Sequence, residues 1–198
     1  METGLHVETG DRDGFCKAVP GSLRVVPWAS RPTAQVLLTM HAERGQPFEG
    51  DPRVCLANVV ERMTAKGLTP CSAIELEFYL LDPKLPPMPN GMPSPVYRAT
   101  SGPTPQNMYA LEDLAEYRAV FADIWDYGKL QGLPIDTMVS EAAPGQFEVN
   151  LKHRADPMGA ADDGVMLRRL VIEVARKHGL KATFMAKPFI DVAGNGLH

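Results

Sequence analysis

The segment Ile74-Glu75-Leu76-Glu77-Phe78-Tyr79-Leu80 decides the fold, because acidic and apolar side chains alternate along it. Side chains two positions apart on a strand point to the same face of a sheet. We therefore predict a strand from Ser72 to Leu81, with Glu75 and Glu77 on one face and the apolar residues on the other. An ordinary strand with one solvated face shows the same alternation, so the acidic pair alone does not establish a functional site.

A second acidic pair lies in the segment Glu141-Ala142-Ala143-Pro144-Gly145-Gln146-Phe147-Glu148. The residues on either side, 134–140 and 147–151, have the pattern of strands, and the Pro-Gly pair between them is typical of a tight turn. Such a turn would bring the side chains of Glu141 and Glu148 close together. Many hairpins carry acids at their ends, however, so this pair is also a weak signal by itself.

The two pairs together predict a metal site. Four carboxylates on strands of one sheet would repel one another unless cations screened them. Hard oxygen ligands favour Mg²⁺ or Mn²⁺. His198 is the candidate nitrogen ligand, since a single imidazole among carboxylates is not typical of structural zinc. The alternative interpretation of His198 is a disordered terminal residue.

The remaining patterns predict helices that back the sheet. We expect helices from Asp51-Pro52 to Gly67, from Leu111 to Gly132, and through Val165 and Val174 to Gly179. Strands are expected at 34–40, as a central strand that is apolar on both faces, and at 182–186, whereas residues 1–22 and 83–107 are expected to be loops. Because strands and helices do not alternate strictly, the predicted fold class is α+β, with a helix-backed, mainly antiparallel sheet.

The composition is that of a globular protein and excludes several classes of function. The chain has 198 residues, of which 44% are hydrophobic and 22% charged, and a net charge of −4. No basic excess points to nucleic acid or an anionic membrane, and no apolar run approaches the roughly 18 residues of a membrane span. The three cysteines fit neither a disulfide framework nor a zinc spacing. We therefore expect a cytoplasmic protein with reduced thiols that binds neither nucleic acid nor membranes.

These motifs, in this order, resemble those of the glutamine synthetase family. The resemblance rests on the two acidic segments, on Ala182-Thr183-Phe184-Met185-Ala186-Lys187-Pro188 and on Gly194-Asn195-Gly196-Leu197-His198, and it covers nearly the whole chain. It implies a partial β-grasp N-terminal domain at 1–48, followed at 51–198 by the N-terminal part of the catalytic domain. Because family members continue well beyond His198, the resemblance also implies that the chain is a fragment.

The resemblance assigns roles to single residues. It implies that one metal ion is held by Glu77, Glu141 and Glu148, and a second by Glu75, His198 and a later carboxylate. Gly194 would meet the glutamate substrate through its backbone.

Other positions are weaker candidates. Lys187 is a candidate for a phosphate contact and Asp136 for a nucleotide contact. Glutamine synthetases proper usually carry Asn just before the substrate glycine, where this chain has Ala193. That departure favours the branch of the family that makes γ-glutamyl amides of polyamines or other amines.

The activity implied by the resemblance is an ATP-dependent ligase reaction. ATP would phosphorylate the γ-carboxylate of glutamate, and ammonia or an amine would displace phosphate from γ-glutamyl phosphate, with two or more Mg²⁺ or Mn²⁺ ions neutralising the charge. Homo-oligomeric rings are implied as well, with the loop Gly10-Asp11-Arg12-Asp13 completing a neighbour's site. The alternatives are glutamine synthetase proper, a truncated non-catalytic member acting only in assembly, and a different metal-dependent phosphotransferase such as a guanidino kinase.

Overall fold

A computed structural model describes residues 14–42, 45–89, 91–97 and 108–198. Its elements are β1 (Phe15–Ala18), β2 (Arg24–Val25), β3 (Ala34–Gln35), β4 (Leu38–His41), α1 (Pro52–Thr64), β5 (Glu75–Asp82), β6 (Ser94–Pro95), α2 (Leu111–Glu116), α3 (Arg118–Leu130), β7 (Ile135–Ser140), β8 (Gln146–Leu151), α4 (Pro157–Lys177) and β9 (Lys181–Thr183).

The main sheet contains five strands, and all its pairings are antiparallel. The strand β5 is its centre, because it pairs with β6, β8 and β9, while β7 pairs with β8. The helices α3 and α4 pack against each other and contact this sheet. The predicted α+β class with a mainly antiparallel sheet is confirmed.

The hydrophobic core lies between the helices and one face of the sheet. Phe78 and Leu80 of β5 are fully buried there together with Ile124 of α3 and Leu167 of α4. Burying side chains of this size contributes roughly 1.5–3 kcal/mol each. The prediction that the apolar side chains of β5 share one face is therefore correct. Its acidic residues lie on the opposite face, away from this core.

The N-cap of α1 ties the first helix to the small strands before it. Asp51 accepts hydrogen bonds from the backbone N–H groups of Arg53 (2.8 Å) and Met40 (2.7 Å). Burial tends to raise the pKa of Asp51, but these amide donors and that of Val54 favour the carboxylate, and the net pKa is lowered. The predicted helix start at Asp51-Pro52 is present, with Pro52 in the first turn.

The prediction of a central strand at 34–40 is wrong. The segment is divided between β3 and β4, which pair with β2 and β1 in two separate two-stranded sheets. Leu38 and Met40 are 52% and 42% exposed, because a sheet of two strands leaves much of its surface uncovered. The expected loop at 1–22 is also wrong over 15–18, where pairing with β4 supplies the hydrogen bonds of β1.

The helix predicted from Leu111 to Gly132 is interrupted. The backbone of Tyr117 leaves the helical region (φ −105°, ψ 23°), which separates α2 from α3. The hydroxyl of Tyr117 donates to the carbonyl of Tyr97 at 2.8 Å, so this side chain fastens the break to the preceding loop. The last predicted strand is shorter than expected and ends at Thr183.

Two further expectations concern the cysteines and membrane-spanning segments. The three cysteines are exposed and unpaired thiols. Among the residues that the structure describes, no helix combines the length and apolarity needed to cross a membrane.

Candidate metal centre

The register of β5 and β8 places two carboxylates directly opposite each other. Glu77 pairs with Glu148, and both side chains lie on the face away from the helical core. Glu148 is 9% exposed and the Glu77 side chain 14% exposed. Both of these groups are largely shielded from water. Glu75, the other acidic residue for which a solvated strand face was the alternative, is half-buried.

The turn between β7 and β8 brings in Glu141. The amide of Glu141 donates to the carbonyl of Gln146 at 2.9 Å, and Gly145 turns with φ +75°. A Cβ on Gly145 would lie 2.6 Å from the carbonyl oxygen of Val96, so this position requires glycine for space as well as for its backbone conformation. After burial, the charges of Glu148 and Glu77 contribute to raising the pKa of Glu141. The close approach of the Glu141 and Glu148 side chains stays a prediction.

The C-terminal segment runs antiparallel along β5. Glu75 and His198 exchange both of their backbone hydrogen bonds, each 3.1 Å long. The amide of Glu77 donates to the carbonyl of Gly196 at 3.2 Å. This pairing places the imidazole Nε2 of His198 at 3.5 Å from Oε1 of Glu77. The alternative of a disordered terminal residue is not what the structure shows.

Three ligand atoms therefore converge. One carboxylate oxygen each from Glu77 and Glu148, and one ring nitrogen of His198, all lie within 4.8 Å of one another. Glu75 and Glu141 are outside this group of three but carry like charge close by. Two carboxylate oxygens and one imidazole nitrogen could hold a divalent cation. The choice of Mg²⁺ or Mn²⁺ stays a prediction. The division of the five residues between two ions stays a prediction.

Burial and neighbouring carboxylates raise the pKa of both Glu148 and Glu141. Burial raises the pKa of Glu148, and the charges of Glu75 and Glu77 raise it further, against a hydrogen bond from Asn150. Burial also raises the pKa of Glu141, and Glu148 and Glu77 add to this effect. These carboxylates repel one another, and a divalent ion would remove that repulsion.

The loop before His198 approaches the centre closely. A Cβ on Gly194 would lie 2.4 Å from the carbonyl oxygen of Ala186, so no side chain fits there without displacing the backbone. The hydroxyl of Tyr79 donates to the carbonyl of Ala193 at 2.6 Å. Burial, with a smaller contribution from Glu77, raises the pKa of Tyr79 to about 12, so this hydroxyl keeps its proton at neutral pH. Substrate binding by Gly194 stays a prediction.

The weaker candidates are placed as follows. Lys187 donates a hydrogen bond to the carbonyl of Val192. Asp136 is exposed on β7, at a register shift between Ile135 and Thr137. Their suggested contacts with phosphate and nucleotide stay predictions, and the loop at 10–13 lies outside the described residues.

Sequence reasoning missed Gln146 and Gly196. Gln146 lies on the same face as Glu148 and is 2% exposed, with its amide directed at Glu77. The signal was present, because Gln146 and Glu148 are two positions apart on one strand. No local signal marked Gly196, whose amide donates to Oε2 of Glu77 at 2.9 Å across 119 positions of sequence.

Residues 49–198 match the glutamine synthetase catalytic domain. The chain is 41% identical over 199 residues to gamma-glutamylputrescine synthetase PuuA of Escherichia coli (strain K12), a match that covers 100% of this chain and 42% of that protein. It is 30% identical to glutamate–isopropylamine ligase of a Pseudomonas species, over 89% of this chain and 38% of that protein. A glutamine synthetase of Thermotoga maritima is also 30% identical, over 97% of this chain and 42% of the relative.

A solved structure described as apo GmaS without ligand superposes with a TM-score of 0.79 at 32% identity, over 94% of this chain and 42% of that one. The fold over residues 49–198 is thus that of a glutamine synthetase-type catalytic domain. The chain belongs to the glutamine synthetase family. It spans about 40% of the length of the relatives it matches.

Proposed function

We propose that the protein carrying this chain is an ATP-dependent ligase that joins the γ-carboxylate of glutamate to an amine through γ-glutamyl phosphate. The observation that carries the proposal is the convergence of Glu77, Glu148 and His198 on the acidic face of the sheet. In a family of glutamine synthetases and related ligases, such a donor set suits phosphoryl transfer from ATP to a carboxylate. A cytoplasmic location and assembly into homo-oligomeric rings belong to the same proposal.

The residues of the chain would act by holding and orienting. Glu77, Glu148 and His198 would bind Mg²⁺ or Mn²⁺, with Glu75 and Glu141 as further ligands of two or more ions. When bound, such ions neutralise the charge that moves between phosphate oxygens. The carboxylates serve as ligands, so the reaction does not require them to transfer a proton.

The proposed acceptor is an amine larger than ammonia. Two relatives are named for amine ligation, a gamma-glutamylputrescine synthetase at 41% identity and a glutamate–isopropylamine ligase at 30%. Ala193 precedes Gly194, the glycine proposed to meet glutamate, and a methyl group occupies less space than a carboxamide. Glutamine synthetase proper is the second candidate, supported by the Thermotoga maritima relative at 30% identity.

The test uses the intact gene product with ATP, glutamate and Mg²⁺ or Mn²⁺, and separate additions of putrescine, isopropylamine, ammonia and arginine. We expect phosphate release together with a γ-glutamyl amide, detected by mass spectrometry, and a preference for an organic amine over ammonia. Preference for ammonia would favour glutamine synthetase proper. A phosphorylated guanidino product from arginine would favour the guanidino kinase alternative, and no turnover with any acceptor would favour the non-catalytic member.

Substitution of the ligands completes the test. Glu77→Gln and Glu148→Gln should abolish metal-dependent phosphate release, because each removes one charged donor from the centre. Glu61→Gln is the matched control, since it removes the same charge from an exposed position on α1. Unchanged release in both ligand variants would refute the proposal.

A further inference from the structure

Gln146 is a buried polar side chain on the acidic face that the proposed metal ligation does not use. It is 2% exposed, and its amide nitrogen lies 2.9 Å from Oε2 of Glu77 and 2.9 Å from the carbonyl oxygen of Gly194. The side-chain oxygen of Asn195 is a more distant acceptor at 3.4 Å. The two protons of the amide are thus directed at two separate segments of the chain.

The orientation of this amide is fixed by its surroundings. The neighbours of its nitrogen are carboxylate, carbonyl and amide oxygens, while its oxygen accepts from the backbone N–H of Ala143 at 3.3 Å. Rotating the amide by 180° would place oxygen against these oxygens and its NH₂ against the amide of Ala143. Gln146 therefore links the β7–β8 turn, β5 and the C-terminal loop.

This link determines which oxygen of Glu77 faces the centre. Oε2 accepts from Gln146 and also from the backbone amide of Gly196, both at 2.9 Å. Oε1 is left facing His198, at 3.5 Å from its Nε2. A Cβ on Gly196 would come within 2.4 Å of this nitrogen, so the loop fits closely against both ligands. Hydrogen bonds to a ligating carboxylate fix its direction and its basicity.

We infer that Gln146 is a positioning residue that couples the Glu77 ligand to the loop at 194–196, so that Oε1 of Glu77 is presented to the metal only while the loop is docked. This inference rests on the metal site of the proposed function and is independent of which amine the enzyme accepts. In this inference Gln146 acts through Glu77 and is not itself a metal ligand.

The test compares two buried glutamines. Gln146→Met keeps the length of the side chain and removes its donors and its acceptor. Gln131→Met is the control, because Gln131 is also 2% exposed and donates to the carbonyl of Val25 at 2.8 Å, away from the acidic face. The measurements are Mn²⁺ affinity by calorimetry, and hydrogen exchange of the Asn195 and Gly196 amides without metal, both on the intact gene product.

We expect Gln146→Met to weaken Mn²⁺ binding by about 10- to 100-fold, the usual effect of losing a partner of a metal ligand. Exchange of the Gly196 amide should accelerate at least about tenfold, and Gln131→Met should change neither quantity while lowering the melting temperature. If Gln146→Met does not fold, Gln146→Asn is measured instead, because it keeps an amide that is one methylene too short to reach Glu77, and the same changes are expected.

An Mn²⁺ dissociation constant within about twofold of the wild type in the folded variant would overturn the inference. Failure of the wild type to bind Mn²⁺ would overturn both this inference and the metal site on which it rests. Weakened Mn²⁺ binding in the variant, in a wild type that binds Mn²⁺ but ligates no amine, would refute only the proposed function.

Discussion

Neutralising Glu148 should stabilise the metal-free protein and at the same time remove its response to metal. Its carboxylate and that of Glu77 have ligand atoms within 4.8 Å of each other, and both side chains are largely shielded from water. Two full charges at this distance repel by about 3 kcal/mol at an effective dielectric constant near 20. Because solvent relieves part of this repulsion, we expect Glu148→Gln to raise the free energy of unfolding by about 1 kcal/mol at pH 7.5.

The assay is thermal unfolding in EDTA and in saturating Mn²⁺. A gain of 1 kcal/mol corresponds to a rise of about 2–4 °C in melting temperature for a chain of this size. Mn²⁺ should raise the melting temperature of the wild type and have little effect on Glu148→Gln. Glu61→Gln, which removes a charge from an exposed position, should behave as the wild type in both buffers. If Glu148→Gln melts below the wild type in EDTA, or keeps the full Mn²⁺ response, the electrostatic reasoning is wrong.

Three further predictions concern the framework, each measured by urea denaturation. Asp51→Ala should lower the free energy of unfolding by about 3 kcal/mol, because it removes the acceptor for the backbone N–H groups of Arg53 and Met40. Asp51→Ser can still accept from Arg53 as the N-cap, so it should lower the free energy of unfolding by about half as much. Gly145→Ala should lower the free energy of unfolding by about 3 kcal/mol, since φ is +75° and the Cβ would lie 2.6 Å from the carbonyl oxygen of Val96. The control is Gly21→Ala, at φ +76° with open space, which should lower it by about 1 kcal/mol. Burial opposes ionisation of Asp123, but Lys177 and His178 lower its pKa below the ordinary value of 3.8. The stability that this carboxylate contributes is present above that value and lost at lower pH, so the difference between the wild type and Asp123→Asn should shrink as the pH falls below 3.8.

The acidic face of the sheet could be predicted because its information is local. A period of two along β5 is sufficient to place Glu75 and Glu77 together, and a Pro-Gly turn is sufficient to return the chain toward them. The direct opposition of Glu77 and Glu148 required the register, which depends on burying Phe78 and Phe147 on the same core face. A pattern in one segment does not contain that information.

Two other features could not be read from local pattern. His198 reaches the centre through backbone pairing with Glu75, 123 positions earlier in the sequence. The residue type made His198 a candidate ligand, but no local pattern predicts this pairing. Apolarity on both faces of the segment 34–40 predicts a buried, central strand. Its real partners are single short strands, and how many strands join a sheet is decided by the rest of the chain.

The three ligands converge because one backbone ladder sets the position of all of them. A slip of one residue between β5 and β8 would move Glu77 into the hydrophobic core and Phe78 onto the acidic face, so the buried face fixes the register of the acidic one. The C-terminal segment follows the same register, since Glu75 and His198 exchange both hydrogen bonds. Side-chain contacts such as that of Gln146 then only select an oxygen of a carboxylate that the ladder has already positioned. A core substitution that shifts β5 against β8 should therefore weaken metal binding without touching any ligand, whereas one that only leaves a cavity should lower stability and leave the metal affinity unchanged.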